Sequence, residues 1–219
     1  MKEICRLENI VKKFNMGEEV TPLYNLNLTV NEGDFIIIEG PSGSGKSTLL
    51  YLIGTLLKAD QGKYFFEGKN IDEYNDSGLS NIRARKIGFL FQESNLIQAL
   101  TLRQNIEFVS KEKKIDSKEL TDLLKKLGLD DRENFLPFQL SGGQRRRAGL
   151  ARSIICKPKL ILADEPTNDL DQKWSDVVMN LLVEKTKENS AVVMVTHNKD
   201  LIKFASKSYL LKDGSLKNI

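Results

Sequence analysis

Residues 40–47, Gly40-Pro41-Ser42-Gly43-Ser44-Gly45-Lys46-Ser47, have the spacing GxxxxGK[ST] and are followed by Thr48 and an apolar run. Gly40, Gly43 and Gly45 lack a Cβ, so the backbone can bend into a ring of N–H donors. A helix starting near Lys46 would point its positive end into that ring. Lys46 can neutralise the outer oxygens of a polyphosphate, and the Ser47 hydroxyl is a hard ligand suited to Mg²⁺. A Gly/Ser-rich turn would explain the glycines. It would not explain the Lys-Ser pair between a buried strand and a helix.

A metal-holding acid is expected on a neighbouring strand, and Leu160-Ile161-Leu162-Ala163-Asp164-Glu165 supplies an apolar strand ending in two carboxylates. Asp164 is expected to hold Mg²⁺ through water. Glu165, one residue further, is expected to face the γ-phosphate side and polarise an attacking water. Taken alone, such a carboxylate pair could equally cap a helix. A second anion site lies in Leu140-Ser141-Gly142-Gly143-Gln144, where Ser141 stands at the N-cap of a helix running to Ile154.

Leu-Ser-Gly-Gly-Gln is the signature of the ATP-binding cassette family, which the chain resembles over nearly its whole length and in the family's order of motifs. The resemblance implies that Gly40 to Thr48 hold ATP with Mg²⁺, and that Phe14 stacks on adenine. It implies that Gln92 reaches Mg²⁺ and the attacking water, and that Asn168-Asp169-Leu170-Asp171 is the loop after the catalytic strand. It places His197, the only histidine, at the γ-phosphate. It further implies a head-to-tail dimer in which Ser141, Gly142, Gly143, Gln144 and Asp171 complete the nucleotide site of a second copy. Within the family, the phosphate loop, Phe14-Asn15-Met16-Gly17-Glu18-Glu19-Val20 and Leu162-Ala163-Asp164-Glu165-Pro166-Thr167 are similar to the bacterial macrolide-exporter and lipoprotein-releasing subgroup. Two departures stand out: Asn168-Asp169 replaces the commoner Ser-Ala or Gly-Ala, and Arg145 to Arg147 stand where glutamines are usual.

These residues need a scaffold. Phe35 to Ile38, Leu160 to Leu162 and Ala191 to Val195 read as strands buried on both faces, as in a parallel sheet, with Ile87 to Phe91 a further strand. Helical patterns run over Ser47 to Leu57 and Trp174 to Lys187. Ile4 to Ile10 and Leu26 to Val30 read as antiparallel strands joined through the turn-rich Asn15-Met16-Gly17. Asp116 and Glu119 have capping-box spacing before Leu120, Leu123, Leu124 and Leu127, with Gly128 placed to end that helix. The expected fold is α/β: with the resemblance, a P-loop NTPase (RecA-like) parallel-sheet core with an antiparallel β edge layer and a helical subdomain. Residues 1–219 form one domain, 1–94 and 151–219 being the core with its edge layer and about 95–150 the helical subdomain with the signature.

Composition narrows the function. The 219 residues include 33 Lys and Arg against 30 Asp and Glu, a net charge of +3, with 40% hydrophobic and 29% charged residues. That is globular composition without a basic domain, so nucleic acid is not an expected partner. Arg145 to Arg147 read as a solvated face, and Asn198-Lys199-Asp200 lacks the spacing of a guanine-reading motif. The longest apolar run, Leu49 to Leu57, is far too short for a membrane span, and no export signal is visible. Cys5 and Cys156 have no metal-ligand spacing and are read as unpaired thiols. By the resemblance, the chain is expected to be a cytoplasmic ATPase, peripheral on the inner face of the membrane, that drives a separate integral membrane permease. The alternatives are a soluble cassette ATPase acting on ribosomes or DNA and a weakly hydrolysing regulatory cassette. Those soluble relatives carry two cassettes or a long coiled-coil insertion.

Overall fold

The computed structural model describes residues 2–15, 17, 19–110 and 115–219. Met16 and Glu18 of the expected first turn lie outside the described residues. In chain order the strands are β1 Glu3–Asn15, β2 Glu19–Asn31, β3 Phe35–Glu39, β4 Gln61–Phe66, β5 Lys69–Asn70, β6 Ile87–Leu90, β7 Leu160–Asp164, β8 Ala191–Val195, β9 Lys207–Lys212 and β10 Ser215–Asn218. The α-helices are α1 Lys46–Ile53, α2 Asp76–Lys86, α3 Leu102–Glu107, α4 Ser117–Lys126, α5 Gly142–Ile154 and α6 Gln172–Lys187.

Two sheets form. One is antiparallel, in the order β2-β1-β4-β5; the other runs β10-β9-β3-β8-β7-β6, parallel from β9 to β6 with β10 antiparallel at its edge. The antiparallel layer is thus a separate sheet that also recruits residues 61–70, a segment whose exposed Gln61, Gly62 and Lys63 hide its strand character.

Alternation along the central strands divides the interior. Ile36 and Ile38 of β3, Leu160 and Leu162 of β7, and Val193 and Val195 of β8 face a core shared with α1 and the antiparallel sheet. Phe35 and Ile37, Ile161 and Ala163, and Val192 and Met194 face the opposite core, shared with α3, α4, α5 and α6. Both faces of the parallel sheet are therefore dry, which is why its strands read as continuous apolar runs. The 95–150 region packs into the second core through Leu96, Leu102, Ile106, Leu120, Leu124 and Leu150.

α1 is shorter than its apolar pattern suggests: Gly54 closes it, and Thr55 at φ 57° turns the chain away before Leu56 and Leu57. α4 begins at Asp116, whose carboxylate accepts from Lys118 N, an Asp cap without the reciprocal Glu119 bond that its spacing suggested. Gly128, at φ 60°, follows its C-terminus.

Candidate functional site

β3 is fully buried, and its end delivers the phosphate loop to the carboxyl edge of the parallel sheet, where such folds place their ligands. Gly45 sits at φ 97°, and a Cβ there would lie 2.8 Å from Pro22 O; at Gly40 it would lie 2.6 Å from both Leu211 O and Ser44 Oγ. These approaches leave no room for a side chain. Lys46 Nζ donates to Gly40 O at 2.7 Å and Pro41 O at 2.9 Å, so the ammonium is folded over its own loop.

A cavity of about 560 Å³ opens on this loop. Around it the structure gathers Phe14, Ser42, Gly43, Gly45, Lys46, Ser47, Thr48, Gln92, Asp164, Glu165 and His197, and adds Asn168, which sequence reasoning placed only in the following loop. Phe14 is half-buried and lines the cavity, with the Lys12 ammonium 5.3 Å from its ring centroid. Gln92 follows β6 and is exposed at the cavity mouth.

Asp164 ends β7 almost wholly buried, and burial raises its carboxyl above the usual range against the pull of its Ser47 hydrogen bond. Its Oδ2 is buried without a partner, as is Ser44 Oγ within the loop. An orphaned carboxylate oxygen beside a serine hydroxyl is a hard-oxygen donor set that fits Mg²⁺ shared with phosphate oxygens. Among the described residues no three His, Cys, Asp or Glu side chains cluster to hold a metal by themselves. Asp164 and Ser47 would hold the ion, with Gln92 at the mouth, and when bound it supplies positive charge to the phosphates.

Glu165 sits in the left-handed region at φ 49° while its N–H stays on the sheet, bonded to Val195 O at 3.0 Å. That strained turn costs roughly 1 kcal/mol or more and swings the carboxylate toward β8. Thr196 Oγ1 donates to Glu165 Oε2 at 3.0 Å, and His197 Nδ1 lies 2.8 Å from Oε1. An ionised carboxylate only accepts, so Nδ1 carries the proton of this bond, and Nε2 can donate to a phosphate oxygen only in the doubly protonated ring. Sequence reasoning missed Thr196, whose one signal was a hydroxyl residue directly after the apolar run Ala191 to Val195; in the fold it is fully buried.

Ser141, Gly142, Gly143 and Asp171 stand elsewhere. They line a second cavity of about 480 Å³ with Arg147, Asp169, Leu170 and Trp174, and it shares no residue with the first. Ser141 Oγ accepts from Gln144 N at 3.2 Å and Gln144 Oε1 accepts from Ser141 N at 2.8 Å, a capping box that commits the Gln144 side chain to its own helix end. Asp171 caps α6 by accepting from Trp174 N at 2.9 Å.

The arginine run is not a solvated face. Arg145 donates to Leu140 O at 2.5 Å, Arg146 to Phe91 O at 2.9 Å, and Arg147 to Leu127 O while stacking 3.7 Å from the Trp174 ring centroid. Arg146 and Arg147 are each 6% exposed, because α5 packs over the chain at Phe91 and Leu127, whose carbonyls they meet.

A phosphate-binding loop, a buried strand-end Asp-Glu pair, and a separate Gly-rich helix start define a nucleotide-hydrolysing cassette of the P-loop class. The pattern of the ABC transporter family matches residues 23–168, and the chain belongs to that family as one of its ATP-binding ATPase cassettes. It is 40% identical to the lipoprotein-releasing system ATP-binding protein LolD of Aquifex aeolicus, over 99% of this chain and 97% of that protein. It is 38% identical to the macrolide export ATP-binding/permease protein MacB of Mannheimia succiniciproducens, over 97% of this chain and 34% of that protein. Among solved structures it resembles the dimeric post-hydrolysis state of the Methanocaldococcus jannaschii cassette MJ0796 bound to ADP and Pi, with a TM-score of 0.92, 36% identity, and coverage of 99% and 98%.

Proposed function

We propose that the chain is the motor subunit of a membrane transporter of the exporting or mechanically extruding kind: ATP joins two copies head to tail, and hydrolysis separates them. The observation that carries the reading is the division of the site. The phosphate cavity and the signature cavity share no lining residue, so one chain holds two half-sites that a second copy can complete. The dimeric state of the MJ0796 cassette supports it.

In this reading Phe14 stacks on adenine, and Gly40 to Thr48 with Lys46 hold the phosphates. Glu165 orients the attacking water, His197 Nε2 meets a γ-phosphate oxygen, and Gln92 closes the mouth. Ser141, Gly142 and Gly143 present their helix end to the partner's nucleotide, with Gln144 shaping that end and Asp171 bounding it. Charge developing on the γ-phosphate oxygens is met by fixed donors, the main source of rate in such chemistry. Residues 1–94 and 151–219 serve as the core and 95–150 as the arm that carries the signature.

Among the described residues no helix is long and apolar enough to cross a membrane. We place the chain on the inner face of the membrane against a permease subunit, by likeness to LolD and to MacB, whose name includes the permease. The test is the ATPase rate of the purified chain with its Lys46→Ala and Glu165→Gln variants. Both variants lose hydrolysis, and Lys46→Ala also loses ATP binding. A Lys46→Ala protein that hydrolyses ATP at the parent rate would remove the phosphate assignment.

A further inference from the structure

Arg146, in the arginine run of α5, and Asp169, in the loop after the catalytic strand, meet in the fold. Arg146 Nη2 lies 4.0 Å from Asp169 Oδ2. The partners differ in environment: Arg146 is 6% exposed, whereas the Asp169 side chain is 78% exposed at φ 62°. Both line a polar cavity of about 410 Å³ together with Gln92.

A guanidinium this buried is costly unless it is compensated. Its one close bond runs to Phe91 O, the carbonyl directly before Gln92. Six residues along α5, Arg152 donates to Ser94 O and Asn95 O, both at 2.8 Å, so the helix grips the Gln92 segment on either side. Asp169 meanwhile lies against the helix start, its carbonyl 3.2 Å from where a Cβ on Gly143 would stand. Burial lowers the Arg146 pKa, opposed first by Asp169 and then by Asp164 and Glu165.

We propose that Arg146 and Asp169 form an electrostatic latch, a positioning pair that ties the signature helix to both the Gln92 segment and the loop after Glu165 within one chain. At 4.0 Å the pair is in ion contact but longer than a direct charge-assisted bond of roughly 2.8 Å. A shift of about 1 Å in either element closes it. Neither residue lines the phosphate cavity; the latch acts through Gln92 and the Glu165 loop. It rests on the reading of the phosphate cavity as a hydrolytic site.

The experiment is steady-state ATP hydrolysis by the full chain with Mg²⁺, comparing Asp169→Ala, Asp169→Asn, Asp169→Glu, Arg146→Gln and the Arg146→Gln/Asp169→Ala double variant. Asp169→Ala, Asp169→Asn and Arg146→Gln each lower kcat about tenfold with KM within about twofold, because coupled positioning contacts carry effects of that size. Asp169→Glu, which keeps the charge, retains most of the rate. The double variant falls no further than the weaker single, since the second change removes a partner already lost. Losses that multiply in the double variant, or a parent-like kcat in Asp169→Ala, overturn the latch. If Arg146→Gln does not fold, the three Asp169 variants decide alone, because that side chain is exposed. A parent chain without ATPase activity overturns the hydrolytic reading, and the latch with it; parent activity that Glu165→Gln abolishes while Asp169→Ala leaves it intact overturns the latch only.

Discussion

His197 donates from Nδ1 to Glu165 Oε1 across 2.8 Å, joining the ends of β8 and β7 through the side chains that follow them. His197 is 68% exposed at its side chain and Glu165 only 9%, so the imidazole is the outer partner. The bond fixes the carboxylate and leaves Nε2 outside it, on a residue that lines the phosphate cavity; Thr196 holds the other carboxylate oxygen. Glu165 is thereby held in one orientation before any substrate arrives.

Removing the imidazole costs rate rather than affinity. His197→Ala lowers kcat about 10²-fold to 10³-fold, the range expected for a positioned donor to transition-state charge, with ATP affinity within about twofold of the parent. Stopped-flow nucleotide binding together with phosphate release checks this. An equal rise in KM with unchanged kcat would mean that the histidine only binds.

Gln144 works for the signature through its own helix. Its side chain closes the capping box with Ser141, so Gln144→Ala frays the start of α5, at a cost of about 1 kcal/mol. Glu fills the same role in capping boxes, so Gln144→Glu keeps most of the stability. Urea unfolding of the two variants measures the difference. Equal destabilisation by both indicates that the amide nitrogen, and not the cap, matters.

Cys5 gives the chain an alkaline weakness. Burial pushes the thiol from 9.0 up to about 12, with the Tyr64 hydrogen bond opposing and Glu3 adding. In that window the native state binds a proton that the unfolded state has lost, so stability is complete below about pH 9 and falls as pH rises. Between pH 9 and pH 10 the loss is about 1 kcal/mol. Urea unfolding at both pH values in the parent and in Cys5→Ala isolates this slope, because Tyr64 remains in both proteins. The same loss in Cys5→Ala would remove the thiol as the cause.

Much of this site was written in local sequence because its parts are local. The phosphate loop and the Asp164-Glu165 strand end each occupy a few consecutive residues whose types follow from the chemistry. What the sequence hid was tertiary. Arg146 and Arg147 look solvated beside polar neighbours, and only the crossing of α5 over Phe91 and Leu127 buries them. β4 begins with three exposed residues and gains its strand identity from pairing with β1. Past the C-terminal end of α1 the chain turns on Thr55, a residue that propensity does not place at positive φ.

In the proposed mechanism two copies complete each other's sites. Static light scattering of Glu165→Gln, in which ATP binds but is not consumed, measures the mass directly. With ATP and Mg²⁺ the predicted mass is twice the 24.8 kDa of one chain, returning to one chain when nucleotide is withdrawn. A mass of one chain under both conditions, with ATP bound, would contradict the head-to-tail sandwich.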